Sequence, residues 1–405
     1  MEVNPVYSRQ RNNSLPMTNL RDGQLVHGRV LRFDQQGRAV IELGGSRLLA
    51  EIRAQLDTLK TYWFQVQKNG AKIMLQVLAA SDREDVLLRR FGLEPHTTSK
   101  QILLAVKNWR LPLDQVTMMR VSRWLDRIDD VQMGLQVIRF MYEHHLPITE
   151  RVFFSLLPLW QGRSLGEEIG ALHDELASFQ VIKDLREPLH YFTPTYGKSF
   201  RWSDGDDVYR AFVRILTLLG WGKERDPKAG ERNLLKVIQK ILVQNDPFSS
   251  KIATRIGRII HLLSVSHHLF REQDGFIQGM FILPLPLPER TVDLQIQWTG
   301  KRTERGRLDP DFCQIVFFLE MPRLGRTEVT MQVQKRHITL TVKTDFPQAR
   351  KLGEILLPSL KEKLVGKNYV LNSVRFEKLS RRKDSPPTVS PEGLLKRSEG
   401  LDVRV

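Results

Sequence analysis

Apolar and polar residues alternate over five short runs near the start of the chain: GQLVHGRVLRF (23–33), GRAVIEL (37–43), SRLLAEI (46–52), TYWFQVQ (61–67) and AKIMLQVLA (71–79). Period-two alternation marks half-buried strands. The intervening DQQG, GG and KNG segments supply turns, because glycine tolerates positive φ. Five strands so close together predict a small closed β-barrel over 23–79. The polar stretch before it, 1–22, reads as a flexible arm.

Near residue 80 the period changes to about 3.6 and holds to about 272, which predicts an irregular helical bundle. Within it, DVQMGLQVIRFMYEHH sets Val131, Leu135, Ile138 and Tyr142 on one face. SLGE (164–167) has the form of a capping box, in which Ser164 accepts from a backbone N–H and Glu167 reaches back. A faint repeat joins Leu111-Pro112-Leu113 to Leu146-Pro147-Ile148, each between two helical stretches. The segment 187–207 interrupts the helices, and LPLPLPER (283–290) reads as an extended edge or linker, because proline cannot donate to a ladder.

Alternation returns in FIQGMFIL, TVDLQIQW, FCQIVFFLEM, TEVTMQVQ and HITLTVK. Val329, Met331 and Val333 share one face of the fourth run, and Ile338, Leu340 and Val342 one face of the fifth, with QKRH turning between them. Asp345 is expected to cap a helix with Pro347 in its first turn. Its stripe of Ala349, Leu352, Leu356, Leu360 and Leu364 is expected to cover the sheet, with a kink at Pro358. Asn368 suits a positive-φ stop before a closing strand, VLNSVRF. The predicted fold class is therefore multidomain α+β. It comprises a small N-terminal β-barrel (23–79), a helical domain (80–272), a C-terminal mixed β-sheet covered by one helix (273–379) and a disordered basic tail (380–405).

Composition narrows the function. With 405 residues, 41% of them hydrophobic and 27% charged, the chain has ample material for packed cores. Sixty-two Lys and Arg against 46 Asp and Glu give a net charge of +16, suited to nucleic acid, an anionic membrane face or an acidic protein surface, or to no polyanion at all. The one cysteine, Cys313, alternates with Ile315 and Phe317 and reads as a buried hydrophobe. Neither an apolar leader nor a run long enough to span a bilayer is visible, so the expected compartment is the cytoplasm.

Candidate chemistry thins under inspection. YGKS (196–199) lacks the upstream glycine of a phosphate loop, since position 192 is Phe. DGDD (204–207) fits a helix cap better than a cation loop. His261, His267 and His268 lack zinc-ligand spacing. Tyr62, Trp63 and Phe64 could stack bases on the barrel, although consecutive residues cannot all face one way. Tyr191, Phe192, Tyr196, Phe200 and Trp202 interleave with Lys198 and Arg201, a set that either stacks bases or, the favoured reading, anchors the loop on the core. No catalytic set, cofactor site or metal site emerges, and a binding protein rather than an enzyme is expected.

Residues 319–376 resemble the C-terminal domain of bacterial flagellar hook-length control proteins, which switch the substrate specificity of type III export. Leu324-Gly325 is followed by Val329, Met331 and Val333, then Ala349-Arg350, Leu352, Leu357-Pro358, Leu360 and Leu364. Thr327 and Asn368 depart from that pattern. The folded region upstream replaces the usual low-complexity ruler, as in the hook-length-control-like proteins of Gram-positive bacteria. The resemblance implies a non-enzymatic role, with the C-terminal domain docking on the cytoplasmic domain of the export-gate switch protein or a paralogue, and possible export through the flagellar apparatus. The alternative is an RNA-binding protein that uses the barrel and the aromatic loop.

Overall fold

The computed structural model describes residues 20–43, 46–52, 54–69, 72–80, 84–109, 111, 113–176, 188–201, 204–220, 233–236, 238, 250–273, 275–303 and 308–379. The expected arm, apart from its last three residues, and the expected tail lie outside them. Chain contacts define two compact units, Met1–Glu150 and Arg151–Val405. The stretch expected as one helical domain, 80–272, is thus shared between the two.

The first unit begins with β1 (Leu25–Phe33), β2 (Ala39–Leu43), β3 (Ser46–Ala50), β4 (Thr61–Asn69) and β5 (Lys72–Ala80). Their order in the sheet is β3-β2-β1-β4-β5, with every neighbouring pair antiparallel. The sheet curls until its two ends meet through a single parallel bridge, Glu51 with Met74. The barrel expected to be closed is therefore partly open, since the rest of the β3–β5 seam forms no ladder among the described residues. Inside it, Val26, Val30, Ile41, Tyr62, Phe64, Val66 and Leu75 pack as one core. Gly28 is required there: a Cβ would stand 2.5 Å from a Leu43 methyl and 2.8 Å from an Ile41 methyl.

Four helices follow: α1 (Glu84–Arg90), α2 (Thr97–Trp109), α3 (Gln115–Leu125) and α4 (Val131–Glu143). Asp114 and Asp130 cap α3 and α4, accepting from the N–H of Thr117 at 2.7 Å and of Met133 at 2.9 Å. His145, at φ +52°, stops α4 before the second Leu-Pro. The chain leaves the helical layer to pair with the barrel where the Leu25 N–H donates to the Leu113 carbonyl at 2.9 Å.

The second unit contains α5 (Glu150–Trp160), which opens at the division, α6 (Leu165–Leu176), a short turn α7 (Pro194–Gly197), α8 (Gly205–Leu218) and α9 (Ser250–His268). A seven-stranded sheet follows: β6 (Arg271–Gln273), β7 (Phe276–Pro286), β8 (Thr291–Arg302), β9 (Leu308–Met321), β10 (Gly325–Gln334), β11 (His337–Thr344) and β12 (Val370–Glu377). It is an antiparallel meander in chain order until β11, which pairs in parallel with β12 through a crossover helix, α10 (Ala349–Val365). Pro284 and Pro286 belong to β7, which β6 flanks only at its first three residues. Prolines are thus confined to an edge.

α6 and α9 pack against β7 and against each other. Ser164 accepts from the Glu167 N–H at 3.2 Å, as the capping-box spacing predicts, and Asp293 of β8 completes the cap across the layers. Its carboxylate accepts from the N–H of Leu165 at 2.7 Å and of Gly166 at 2.8 Å. Glu168, 3% exposed, binds Arg255 at 2.7 Å and Arg258 at 2.8 Å, and Arg255 also grips Glu175.

The C-terminal helix differs from expectation at both its start and its face. Its first residue is Ala349, preceded by Gln348 with no side-chain cap, so neither Asp345 nor Pro347 opens it. Leu357 and Leu364 meet the cluster of Cys313, Val333, Ile338 and Leu371. Gly353 lies so close to Phe376 that a Cβ would be 2.2 Å from the ring. Leu352, Leu356 and Leu360, expected under the helix, are exposed. The helix runs through Pro358, and Asn368 has the expected positive φ, +64°.

Candidate nucleic-acid interface

One side of the N-terminal barrel is covered. Trp63 is fully buried, and its ring meets His27 edge-on at 5.0 Å. Burial, assisted by the neighbouring charge of Lys107 on α2, lowers the His27 pKa to about 4. Tyr62 and Phe64 point into the barrel core. Alternation along β4 turns Trp63 to the opposite face, against His27, so all three consecutive aromatics are buried. The expectation of base stacking on this triplet is therefore overturned: none of the three is open to a ligand.

The outer residues of β1–β2–β3 form two rows. Arg29 lies across from Glu42, and Glu42 from Arg47; next to this row, Arg32 lies across from Val40 and Val40 from Leu49. Between the rows, Val30, Ile41 and Leu48 turn inward. Alternation thus places three arginines on one face with Leu49, 44% exposed, while Phe33, 37% exposed, pairs with Ala39 on the other face at the end of β1. Arg29, Arg32 and Arg47 are exposed and make no ion pair among the described residues. Arg38, by contrast, is held by Asp34 at 2.8 Å, and that carboxylate also accepts from the N–H of Gln36 and Arg38. These bonds fix the β1–β2 turn, with Gly37 at φ +75°, beside the arginine rows.

The aromatic loop behaves mainly as an anchor. Phe192 is fully buried, its carbonyl accepts from the Thr291 hydroxyl at 2.5 Å, and Gly197 presses on the Pro286–Leu287 backbone. Tyr191, Tyr196 and Phe200 stack edge to face at 4.7 and 4.5 Å, leaving no space for a ring or cation between them. Arg214 lies 4.1 Å from the Tyr191 ring, and Arg201 pairs with Asp207. Trp202 lies outside the described residues. Asp204 caps α8, accepting from the Asp206 N–H at 2.9 Å.

The residues singled out by resemblance divide. Met331, Val333, Leu357 and Leu364 meet in the C-terminal core. Val329 is half-buried on the same face, Leu324 is half-buried, and Gly325 takes φ +66° in the β9–β10 turn. Ala349 is half-buried, while Arg350, Leu352, Pro358 and Leu360 are exposed on α10. Cys313 is buried, which raises its thiol pKa, and burial lowers the pKa of His261 and of His268. The arginine rows were missed by sequence reasoning. The signal was present in the outward positions of β1 and β3, but the aromatic triplet on β4 was the more conspicuous.

Comparison with known proteins agrees with the barrel. A family model described as the TP0910 S1-like domain matches residues 2–76. An uncharacterised protein of Bacillus subtilis (strain 168), YlqG, is 26% identical over 152 residues, which is 37% of this chain. That alignment covers 26% of YlqG, so the chain matches about a quarter of its relative's length. No solved structure matches.

Proposed function

We propose that the chain binds single-stranded RNA across the β1–β2–β3 face of its S1-like domain. The carrying observation is the pair of rows in which Arg29, Arg32 and Arg47 stand exposed beside Leu49, with no ion pair among the described residues. Small five-stranded, partly open barrels bind oligonucleotides on the face of their second and third strands and at the first turn. Guanidinium groups follow the phosphates, and exposed apolar and aromatic side chains accept the faces of bases. Fluorescence anisotropy with a labelled oligouridine of about 12 nucleotides, within the usual site size of such barrels, tests the reading. Saturable binding is expected, weakened about tenfold by Arg47→Glu, since a charge reversal removes one phosphate contact and adds repulsion. Equal binding by wild type and variant would refute it.

A second reading applies to the C-terminal unit: a docking module for the cytoplasmic domain of a flagellar export-gate switch protein, as its resemblance implies. Two paired strands, a proline-bearing crossover helix and a closing parallel strand over 325–377 support it. Titration of the full chain with that cytoplasmic domain at low and high salt is the test. Binding that survives salt is expected, and no binding in either would remove this reading.

A further inference from the structure

We infer that an exposed ridge on α10 docks into an apolar groove with an acidic rim on a partner protein. The inference deepens the docking reading of the C-terminal unit and rests on it.

α10 carries two apolar faces. One, with Gly353, Leu357 and Leu364, is spent on the sheet. The other consists of Leu352, Ile355, Leu356 and Leu360, spaced i, i+3, i+4 and i+8, with Ile355 68% and Leu356 66% exposed. No residue of this 17-residue helix is fully buried. Anchors in that spacing are how a helix is read by a groove. Isolated exposed apolar residues are ordinary, whereas four along one side of one helix mark an interaction surface.

Charge identifies the occupant. Residues 322–379 contain twelve Lys and Arg against five Asp and Glu, a concentrated share of the chain's positive excess. On α10 itself Arg350, Lys351, Lys361 and Lys363 outnumber Glu354 and Glu362. A second copy would set this surplus against itself. An anionic bilayer would meet both glutamates as well as the lysines, since it presents one uniform negative plane. A protein groove can match the basic residues with acidic ones and still leave room for Glu354 and Glu362.

The test uses the full chain and its Ile355→Asp/Leu356→Asp variant. Both side chains point to solvent, so an unchanged urea midpoint is expected and confirms that the variant folds; Ile355→Ser serves as the milder substitute if it does not. The probes are a leucine–glutamate amphipathic helical peptide, its leucine–lysine counterpart and vesicles containing phosphatidylglycerol. The glutamate peptide is expected to bind the wild type and to lose at least about tenfold in affinity with the variant, as for removal of central anchors, while the lysine peptide does not bind. Equal affinity of wild type and variant for the glutamate peptide would overturn the inference. Vesicle binding, or self-association in sedimentation equilibrium, that the variant abolishes would overturn it too, assigning the ridge to a bilayer or to a second copy. The export-gate domain separates the two levels. If it binds wild type and variant equally, docking stands and the ridge is not its surface; if it binds neither while the peptide result holds, that family partner is wrong and the ridge stands.

Discussion

His27 and Glu168 show how single side chains set the conditions under which each unit is stable. His27 favours its neutral form in the folded barrel because burial strips water from its ring and, secondarily, Lys107 repels a second cation. Its folded pKa, about 4, lies below the ordinary 6.5, so between these values the unfolded chain holds a proton that the folded one releases. The contribution of His27 is therefore full above pH 6.5 and is lost as pH falls toward 4. Hydrogen exchange in β1 and β4 should report weaker protection at pH 5 than at pH 7, and His27→Gln should flatten that difference. An unchanged pH dependence in the variant would contradict the assignment. Asp293 acts in the opposite sense in the second unit. Loss of water around its carboxylate raises its pKa to about 6, despite the N–H donors of Gly166 and Leu165, so acidification from 6 toward 3.8 favours folding there. Glu168 carries a different risk. Removing it leaves Arg258, and half of the Arg255 pairing, half-buried without a carboxylate. Glu168→Ala should cost about 3–5 kcal/mol in urea unfolding, and a loss below about 1 kcal/mol would show that water replaces the carboxylate.

At the scale of elements, the β10–β11 hairpin combines accurate register with a strained turn. All eight pairs from Thr327–Thr344 to Gln334–His337 hold without a shift. The two turn residues, Lys335 and Arg336, have φ +48° and +68°, the pattern of a two-residue turn that favours Asn and Gly. Lys335→Asn should therefore stabilise the unit by about 1 kcal/mol, seen as a higher urea midpoint with an unchanged slope. A lower midpoint would mean that the lysine side chain contributes more than the strain costs. The strands of this hairpin were legible because period two leaves a single choice of face. The burial of α10 was not, because leucines at 352, 356, 360 and 364 and the set at 349, 353, 357 and 364 are both acceptable helical stripes. What settles the rotation is the contact of Gly353 with Phe376, a pairing across the crossover that no local pattern reveals. The barrel strands were equally plain, yet its open seam depends on how far the sheet curls, which alternation does not encode. The burial of all three of Tyr62, Trp63 and Phe64 likewise depends on what covers the outer face of β4 at Trp63, which β4 alone does not encode.

For the whole molecule, two units divide the surface chemistry. The first offers exposed arginines on an S1-like sheet, and the second offers an apolar ridge in a basic surround. Among the described residues no helix is long and apolar enough to cross a membrane. A basic protein of +16 will attract polyanions weakly and without specificity, so affinity alone cannot identify the interface. The salt dependence can. The decisive measurement is the slope of log affinity against log salt for oligouridine, compared between wild type and the triple variant Arg29→Ala/Arg32→Ala/Arg47→Ala. Each phosphate contact on a single strand contributes about −0.7, so the slope should become less negative by about 2. Equal slopes for the two proteins would place any RNA contact elsewhere and contradict the assignment of the β1–β2–β3 face.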